Sequence, residues 1–169
     1  MQKKLICDIV SKETNLKGCV DIMTIGQCNA AIYRTLQMML SDKLKKLEIK
    51  NGQYDFFYVI SCREGITQKQ LSEHLYISKS TTAKAVKSLV NSGYIKKEKN
   101  QSDNRVEHLY LTELGHLVSS DVKKIFKENL KIAEKGLSTS ELEQISALQE
   151  KILNNLLAEN ENHKGESIK

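Results

Sequence analysis

The chain of 169 residues contains no proline and only eight glycines. Its strongest helix breakers are nearly absent, so a mainly α protein is expected. No apolar run approaches the roughly 18 residues needed to cross a bilayer. The longest is Phe56-Phe57-Tyr58-Val59-Ile60. Near the start, Asp8, Lys12 and Glu13 fall where a signal peptide needs an apolar stretch. These absences lead us to expect a soluble, cytoplasmic protein with no membrane partner. Four cysteines (Cys7, Cys19, Cys28, Cys62) show neither CxxC nor zinc-finger spacing. In the cytoplasm they should be thiols. No Ser/His/Asp set, phosphate loop or carboxylate pair stands at useful spacing, so neither catalysis nor a cofactor is expected.

What is present is ordinary in amount and uneven in placement. Apolar residues make up 40% of the chain and charged residues 28%, enough for one sizeable core. The formal charge is +5. Between Thr67 and Arg105 stand eight basic residues (Lys69, Lys79, Lys84, Lys87, Lys96, Lys97, Lys99, Arg105) against Glu73, Glu98 and Asp103. This one segment therefore holds all the net charge, and the remainder is neutral. A concentrated basic surface attracts polyanions, nucleic acid first among them.

Periodicity divides the chain. From Val20 to Leu47, apolar residues recur at helical spacing through Ile22, Ile25, Cys28, Ile32, Leu36, Leu40 and Leu44. A second apolar helix covers Tyr54 to Cys62. Thr67 with Gln70 fits a capping box opening a short helix to about Leu75. After the tight connection Tyr76-Ile77, Ser78 caps another helix to Asn91. Thr82, Ala85, Val86 and Leu89 form its apolar face, and Lys79, Ser80, Thr81, Lys84 and Lys87 its polar one. Then the period changes. Tyr94 to Lys99 and Arg105 to Leu111 read as two strands around the polar turn Asn100-Gln101-Ser102-Asp103-Asn104. Thr112 caps a helix from Glu113 to about Lys135, and Ser138 or Ser140 caps a last one with an apolar face from Leu142 to Leu157. A polar, mobile tail is expected over 159–169.

Two short helices with a tight turn, followed by a two-strand hairpin, make a winged helix-turn-helix. Its second helix must be polar, cationic and slim near its N-terminus to enter a major groove. Ser78-Lys79-Ser80-Thr81 meets that need, and the helix N-terminus itself attracts phosphate. Lys84 and Lys87 continue the face, while Lys96, Lys97, Lys99 and Arg105 supply cations from the hairpin.

The run from Thr67 to Gly115 resembles the MarR family (multiple antibiotic resistance regulators). The matching pieces are Thr67-Gln68-x-x-Leu71, Ser80-Thr81-x-x-Lys84-x-Val86-x-x-Leu89, Gly93-Tyr94-Ile95, Asp103-Asn104-Arg105 and Leu111-Thr112-x-x-Gly115. With the flanking helices, the resemblance covers about residues 20–158. It implies a triangular homodimer with long N- and C-terminal dimerisation helices and a winged domain in each protomer. Independently, the long apolar helices carry more surface than one small winged domain can cover, and pairing two copies would bury it. An intrachain helical bundle is the alternative. The resemblance also implies that Arg105 enters a minor groove, braced by Asp103, although Asn104 stands where the family often has a second Arg.

Regulation is read from the same resemblance. Some relatives sense peroxides through a cysteine in the first long helix, held by tyrosines of the partner. Cys19 and Cys28 lie in that neighbourhood, but Leu40 and Asn51 stand near where the tyrosines belong. Zinc-responsive relatives carry paired histidines one turn apart after the wing. Here His116 is followed by Ser120, so no metal is expected. Most other members respond to small aromatic or lipophilic anions, for which Tyr33, Arg34, Tyr54, Tyr58 and His116 are the local candidates; packing is the alternative role for each.

The expected organisation is a leader and dimerisation helix over 1–50, a winged domain over 51–112, dimerisation helices over 113–158 and the tail. The expected function is a dimeric, sequence-specific transcriptional regulator, a repressor released from a pseudo-palindromic operator of double-stranded DNA by a small molecule. Thr67, Gln68, Ser78, Lys79, Ser80, Thr81, Lys84, Lys87, Lys97, Lys99, Asp103 and Arg105 would contact DNA. The rivals are a winged-helix module for protein or RNA, and a cysteine-based redox sensor within the family.

Overall fold

The computed structural model describes residues 24–47, 49, 52–100 and 102–166, the last six by backbone alone. Thr24 opens helix α1 (Ile25–Leu44) with a capping box closed by Gln27. Val20 and Ile22, expected inside this helix, lie outside the described residues. The helix tightens into a 3-10 turn, Lys45–Leu47. Helix α2 (Tyr54–Cys62) buries Tyr54, Phe56, Phe57, Val59 and Ile60, which explains its dense apolar sequence.

The capping box at Thr67 forms as its spacing predicts. Thr67 Oγ1 accepts from the Gln70 amide (3.2 Å), and Gln70 Oε1 accepts from the Thr67 amide (2.9 Å). It opens α3 (Gln68–His74), and Ser78 caps α4 (Lys79–Asn91). The four residues expected on the inner face of α4 are the four it buries. Gly93 turns the chain out of α4 at φ +76°.

Strands β2 (Ile95–Lys99) and β3 (Glu107–Leu111) form the hairpin, in register from Ile95↔Leu111 to Lys99↔Glu107. The second strand starts at Glu107 rather than Arg105. The Val106 amide donates to Asp103 O (3.0 Å), which keeps Arg105 in the turn. A third strand, β1 (Ile66–Thr67), pairs antiparallel with β3, giving the order β1-β3-β2. Two residues are too few to show a strand period, so the sequence suggests only two strands.

Thr112 caps α5 (Glu113–Ala133), its Oγ1 accepting from the Gly115 amide. Ser138 caps α6 (Thr139–Glu166): its Oγ accepts from the Glu141 amide and its own amide donates to Glu141 Oε2. The helix continues past Glu159, where the tail was expected to begin. No proline stands in that stretch, and its first glycine is Gly165.

One core joins Leu40 and Leu44 of α1, the inner face of α2, Leu71, Val86, Leu89, the sheet residues Ile95, Leu109 and Leu111, and Val122 of α5. Outside it, an apolar surface remains uncovered. Ile25 and Ile32 of α1, Leu117 (74% exposed) and Leu130 of α5, and Leu148 and Leu156 (65%) of α6 all face solvent in the single chain.

Candidate nucleic-acid interface and adjoining cavity

Local capping places the front of α4. Ser78 Oγ accepts from the Thr81 amide (3.2 Å) and lies 2.9 Å from Thr81 Oγ1 and 3.1 Å from Ser80 Oγ. Ser78 is thus committed to holding the helix end, while Lys79, Ser80, Thr81, Lys84 and Lys87 stand exposed beyond it. Thr82 is fully buried on the other side, its hydroxyl donating to Ser78 O (3.1 Å). The turn ahead of this cap holds a residue that the sequence did not single out. Tyr76 sits at φ +53° and is 63% exposed. A bulky side chain held in the left-handed region costs on the order of 1 kcal/mol or more.

Within the wing, the cations are not equivalent. Lys97 donates to Glu107 (3.1 Å) and Lys96 pairs with Glu98 (2.8 Å). The bond to Glu98 holds the Lys96 ammonium above the usual lysine range. Lys99 is exposed, with no ion pair among the described residues. Arg105 is 94% exposed, and Asp103 Oδ1 accepts from its amide (2.9 Å) and lies 3.6 Å from its Nε. The aspartate therefore bonds the backbone of the arginine and stands beside its guanidinium. A groove of about 380 Å³ runs between Thr67-Gln68-Lys69 and Asn104-Arg105-Val106. It brings the start of α3 and the wing arginine onto one surface.

Asn100 and His108 organise the wing tip. Asn100 Oδ1 accepts from the Ser102 amide (2.8 Å), the Ser102 hydroxyl (2.6 Å) and the Asp103 amide (3.3 Å). Its Nδ2 must then donate to His108 Nε2 (3.0 Å), leaving His108 Nδ1 to donate to Gly65 O (2.6 Å). A neutral His108 with its proton on Nδ1 satisfies every member. The chemistry is invisible in sequence because residues 65, 100 and 108 meet only in the folded sheet.

Behind the winged domain, α1, α2 and α5 enclose a cavity of about 550 Å³. Tyr33 and Tyr58, two of the five expected ligand residues, line it. The other three do not. Arg34 is exposed outside its wall, because it follows Tyr33 by one residue and so leaves that face of α1. Tyr54 is 2% exposed, absorbed into the core. His116 turns to Glu64 (3.6 Å), whose carboxylate also accepts from the Leu111 amide (3.0 Å).

Residues unmarked in sequence complete the cavity: Gln37, Asp55, Cys62, Lys123, Phe126 and Asn129 among them. Three polar links tie its helices. Gln37 donates to Asp55 (3.0 Å), Lys43 to Asn129 Oδ1 (2.6 Å) and Lys123 to Ser61 O (2.7 Å). Tyr58 and Phe126 stack at 4.3 Å and 8°. Burial raises the Asp55 carboxyl above its ordinary range, with hydrogen bonds from Gln37 and Tyr33 acting the other way. Burial and the Asp55 charge raise Tyr33, and burial and Cys62 raise Tyr58. Of the two cysteines considered for redox sensing, Cys19 lies outside the described residues. Cys28 is exposed on α1 rather than packed among apolar neighbours.

A capped polar helix behind a short support helix, with a cationic three-stranded wing, defines a winged helix-turn-helix protein of the DNA-binding kind. Residues 49–106 match the model of the MarR family. A MarR transcriptional regulator from Methanosarcina mazei Go1 is 31% identical, with a TM-score of 0.69, over 79% of this chain and 96% of that one. The chain belongs to the MarR family of transcriptional regulators. An uncharacterized HTH-type transcriptional regulator of Bacillus subtilis (YybA) is 29% identical over 125 residues, 74% of this chain and 83% of that protein. A Listeria monocytogenes protein solved in complex with a 26mer DNA shares the fold at a TM-score of 0.74 and 24% identity, over 80% of this chain and 90% of that one. Among the described residues, no helix is long and apolar enough to cross a membrane.

Proposed function

We propose that the protein is a cytoplasmic homodimeric repressor that binds a pseudo-palindromic operator and leaves it when a small molecule fills the α1–α2–α5 cavity. The observation that carries the DNA reading is the exposed Arg105 guanidinium, braced by Asp103 beside the Thr67-Gln68 end of α3. A planar, weakly hydrated cation on a short hairpin suits a narrow, negative minor groove. Ser80 and Thr81 at the front of α4 read bases, while Lys79, Lys84, Lys87 and Lys99 hold phosphates. The Listeria protein of the same fold, solved in complex with a 26mer DNA, supports DNA as the partner.

The uncovered apolar faces of α1, α5 and α6 support a dimer, because two copies would remove them from water together. A dimer presents two recognition helices related by a twofold axis, hence the palindromic site. The test is selection of bound fragments from random duplex DNA, with sedimentation of the complex. A palindromic consensus bound by two protomers is expected. A stable monomer, or indifference to duplex sequence, would overturn the proposal, and the second result would favour the protein- or RNA-binding module.

A further inference from the structure

We propose that the α1–α2–α5 cavity selects a lipophilic cation, with Asp55 setting the sign of the ligand charge. The inference rests on the cavity being the ligand site. Asp55 stands in the first turn of α2, half-buried, in a cavity walled by the Tyr58–Phe126 stack and by Leu36 and Leu40. Gln37 donates one hydrogen bond to it, and the Tyr33 hydroxyl lies beside it. Among the described residues no Lys, Arg or His comes within ion-pair distance of it. Two neutral donors solvate the carboxylate without cancelling its charge. A charge drawn partly out of water and left uncompensated is unfavourable until a counter-charge arrives.

A ligand ammonium provides that counter-charge, and an outer face of the Tyr58–Phe126 stack would attract a cation further. Lys123 and Lys127 also line the cavity but do not make it an anion site. Both are exposed, so water already stabilises them, and the Lys123 ammonium donates to Ser61 O at 2.7 Å. A buried anion would meet Asp55 at close range. The family resemblance suggests an anion, and Asp55 reverses that expectation.

Three probes sharing one ring system separate charge from shape: 1-naphthylmethylammonium, 1-naphthoate and 1-naphthalenemethanol. The chain has no tryptophan, so naphthalene fluorescence can be titrated against a low protein background. The ammonium should bind about tenfold or more tighter than the alcohol, the size of one charge-assisted hydrogen bond, and the naphthoate weaker than the alcohol. Asp55→Asn should bring the ammonium down to the alcohol, and Lys124→Gln, at an exposed residue outside the cavity wall, should leave it unchanged. Gln37→Met removes the competing donor and should tighten the ammonium, which keeps the test readable if Asp55→Asn folds poorly. Tightest binding by naphthoate, or an ammonium preference that survives Asp55→Asn, overturns the charge assignment while leaving the cavity as a ligand site. Failure of all three probes to bind overturns both.

Discussion

Replacing Gly115 with alanine should unfold the joint between the wing and the long helix α5. A Cβ built at Gly115 lies 3.2 Å from both Leu111 Cβ and Tyr94 C, and much closer still to the Tyr94 carbonyl oxygen. The obstacle is backbone and cannot rotate away. That oxygen also accepts from the Thr112 amide (3.1 Å), and the Thr112 hydroxyl donates to Gly93 O. Admitting a methyl group means moving α5 off the hairpin root by about 1 Å, forfeiting close contacts on both sides. Overpacking of this kind costs roughly 1–3 kcal/mol or more. Loss of the Thr112–Tyr94 bond adds about 1 kcal/mol. The better helix propensity of alanine returns up to about 1 kcal/mol. The net is a destabilisation of about 1–3 kcal/mol, or roughly 2–12 °C in melting temperature for a chain of this size.

Two other glycines act as controls. At Gly136 nothing lies within 4 Å, but φ is +86°, so alanine there pays only the left-handed penalty, about 1 kcal/mol. Gly26 sits in the first turn of α1, with only Thr24 Oγ1 near, at 4.0 Å, and alanine should be neutral or stabilising by up to about 1 kcal/mol. Thermal melts of the three variants at one fixed protein concentration read the series, since dimerisation would make the midpoint depend on concentration. A Gly115→Ala midpoint no lower than that of Gly136→Ala would refute the close approach.

Arg105→Ala should weaken operator binding by on the order of 1–3 kcal/mol with the melting point unchanged; Asp103→Ala should add little to it in a fluorescence-anisotropy double-mutant cycle, and additive losses would remove the brace. Lys84→Ala and Lys87→Ala should each weaken all DNA sequences alike and lower the salt slope by about one, whereas Thr81→Ala should change base preference; a shifted consensus for Lys84→Ala would exchange these roles. Asp55→Asn should stabilise the free protein at neutral pH. A carboxyl raised by burial is penalised when ionised, so the wild type loses stability as pH rises through the raised range, and the advantage of the variant should vanish when pH falls below the unfolded carboxyl range. Denaturant titrations at several pH values read this, and an advantage that grows on acidification would contradict it.

The local signals were legible. Thr67 with Gln70, Ser78 ahead of α4 and the buried set Thr82, Ala85, Val86 and Leu89 follow from capping chemistry and helical spacing, both contained within a few residues. The interface residues Lys79, Ser80, Thr81, Lys84 and Lys87 follow too, as the complement of a buried face. Cross-chain assembly was not legible. Asp55 and Lys123 share a cavity although 68 positions separate them, and neither stands in a pattern. Tyr54 and Tyr58 are one turn apart on α2, yet the first is absorbed by the core and the second reaches the cavity. The wing lysines look alike in sequence, but Glu98 engages Lys96 on its own strand, and Glu107, although it stands opposite Lys99 in the ladder, engages Lys97; Lys99 makes no ion pair among the described residues.

Helix α2 faces both surfaces. Asp55, Tyr58 and Cys62 line the cavity, while Gln53, at its N-cap, donates to Ser88 Oγ of α4 (2.6 Å) and Phe57 packs edge-on against Tyr94 at the root of the wing (5.8 Å). Phe57 and Ile60 are completely buried, so nine residues held this tightly move as a unit rather than bend. If a ligand displaced Gln37 from Asp55, it would loosen α2 from α1, and a tilt would reach α4 and the hairpin through Ser88 and Tyr94. Thermodynamic linkage then fixes a quantity to measure. Whatever factor a saturating cavity ligand removes from operator affinity, saturating operator must remove from the affinity for that ligand. With 1-naphthylmethylammonium as the ligand, anisotropy on labelled operator gives one factor and naphthalene fluorescence the other. Both should exceed one and agree, and both should shrink together in Gln53→Ala, which cuts the link to Ser88 without touching the cavity wall. A factor of one in wild type would mean that the cavity, occupied or empty, leaves the DNA-binding surface unmoved.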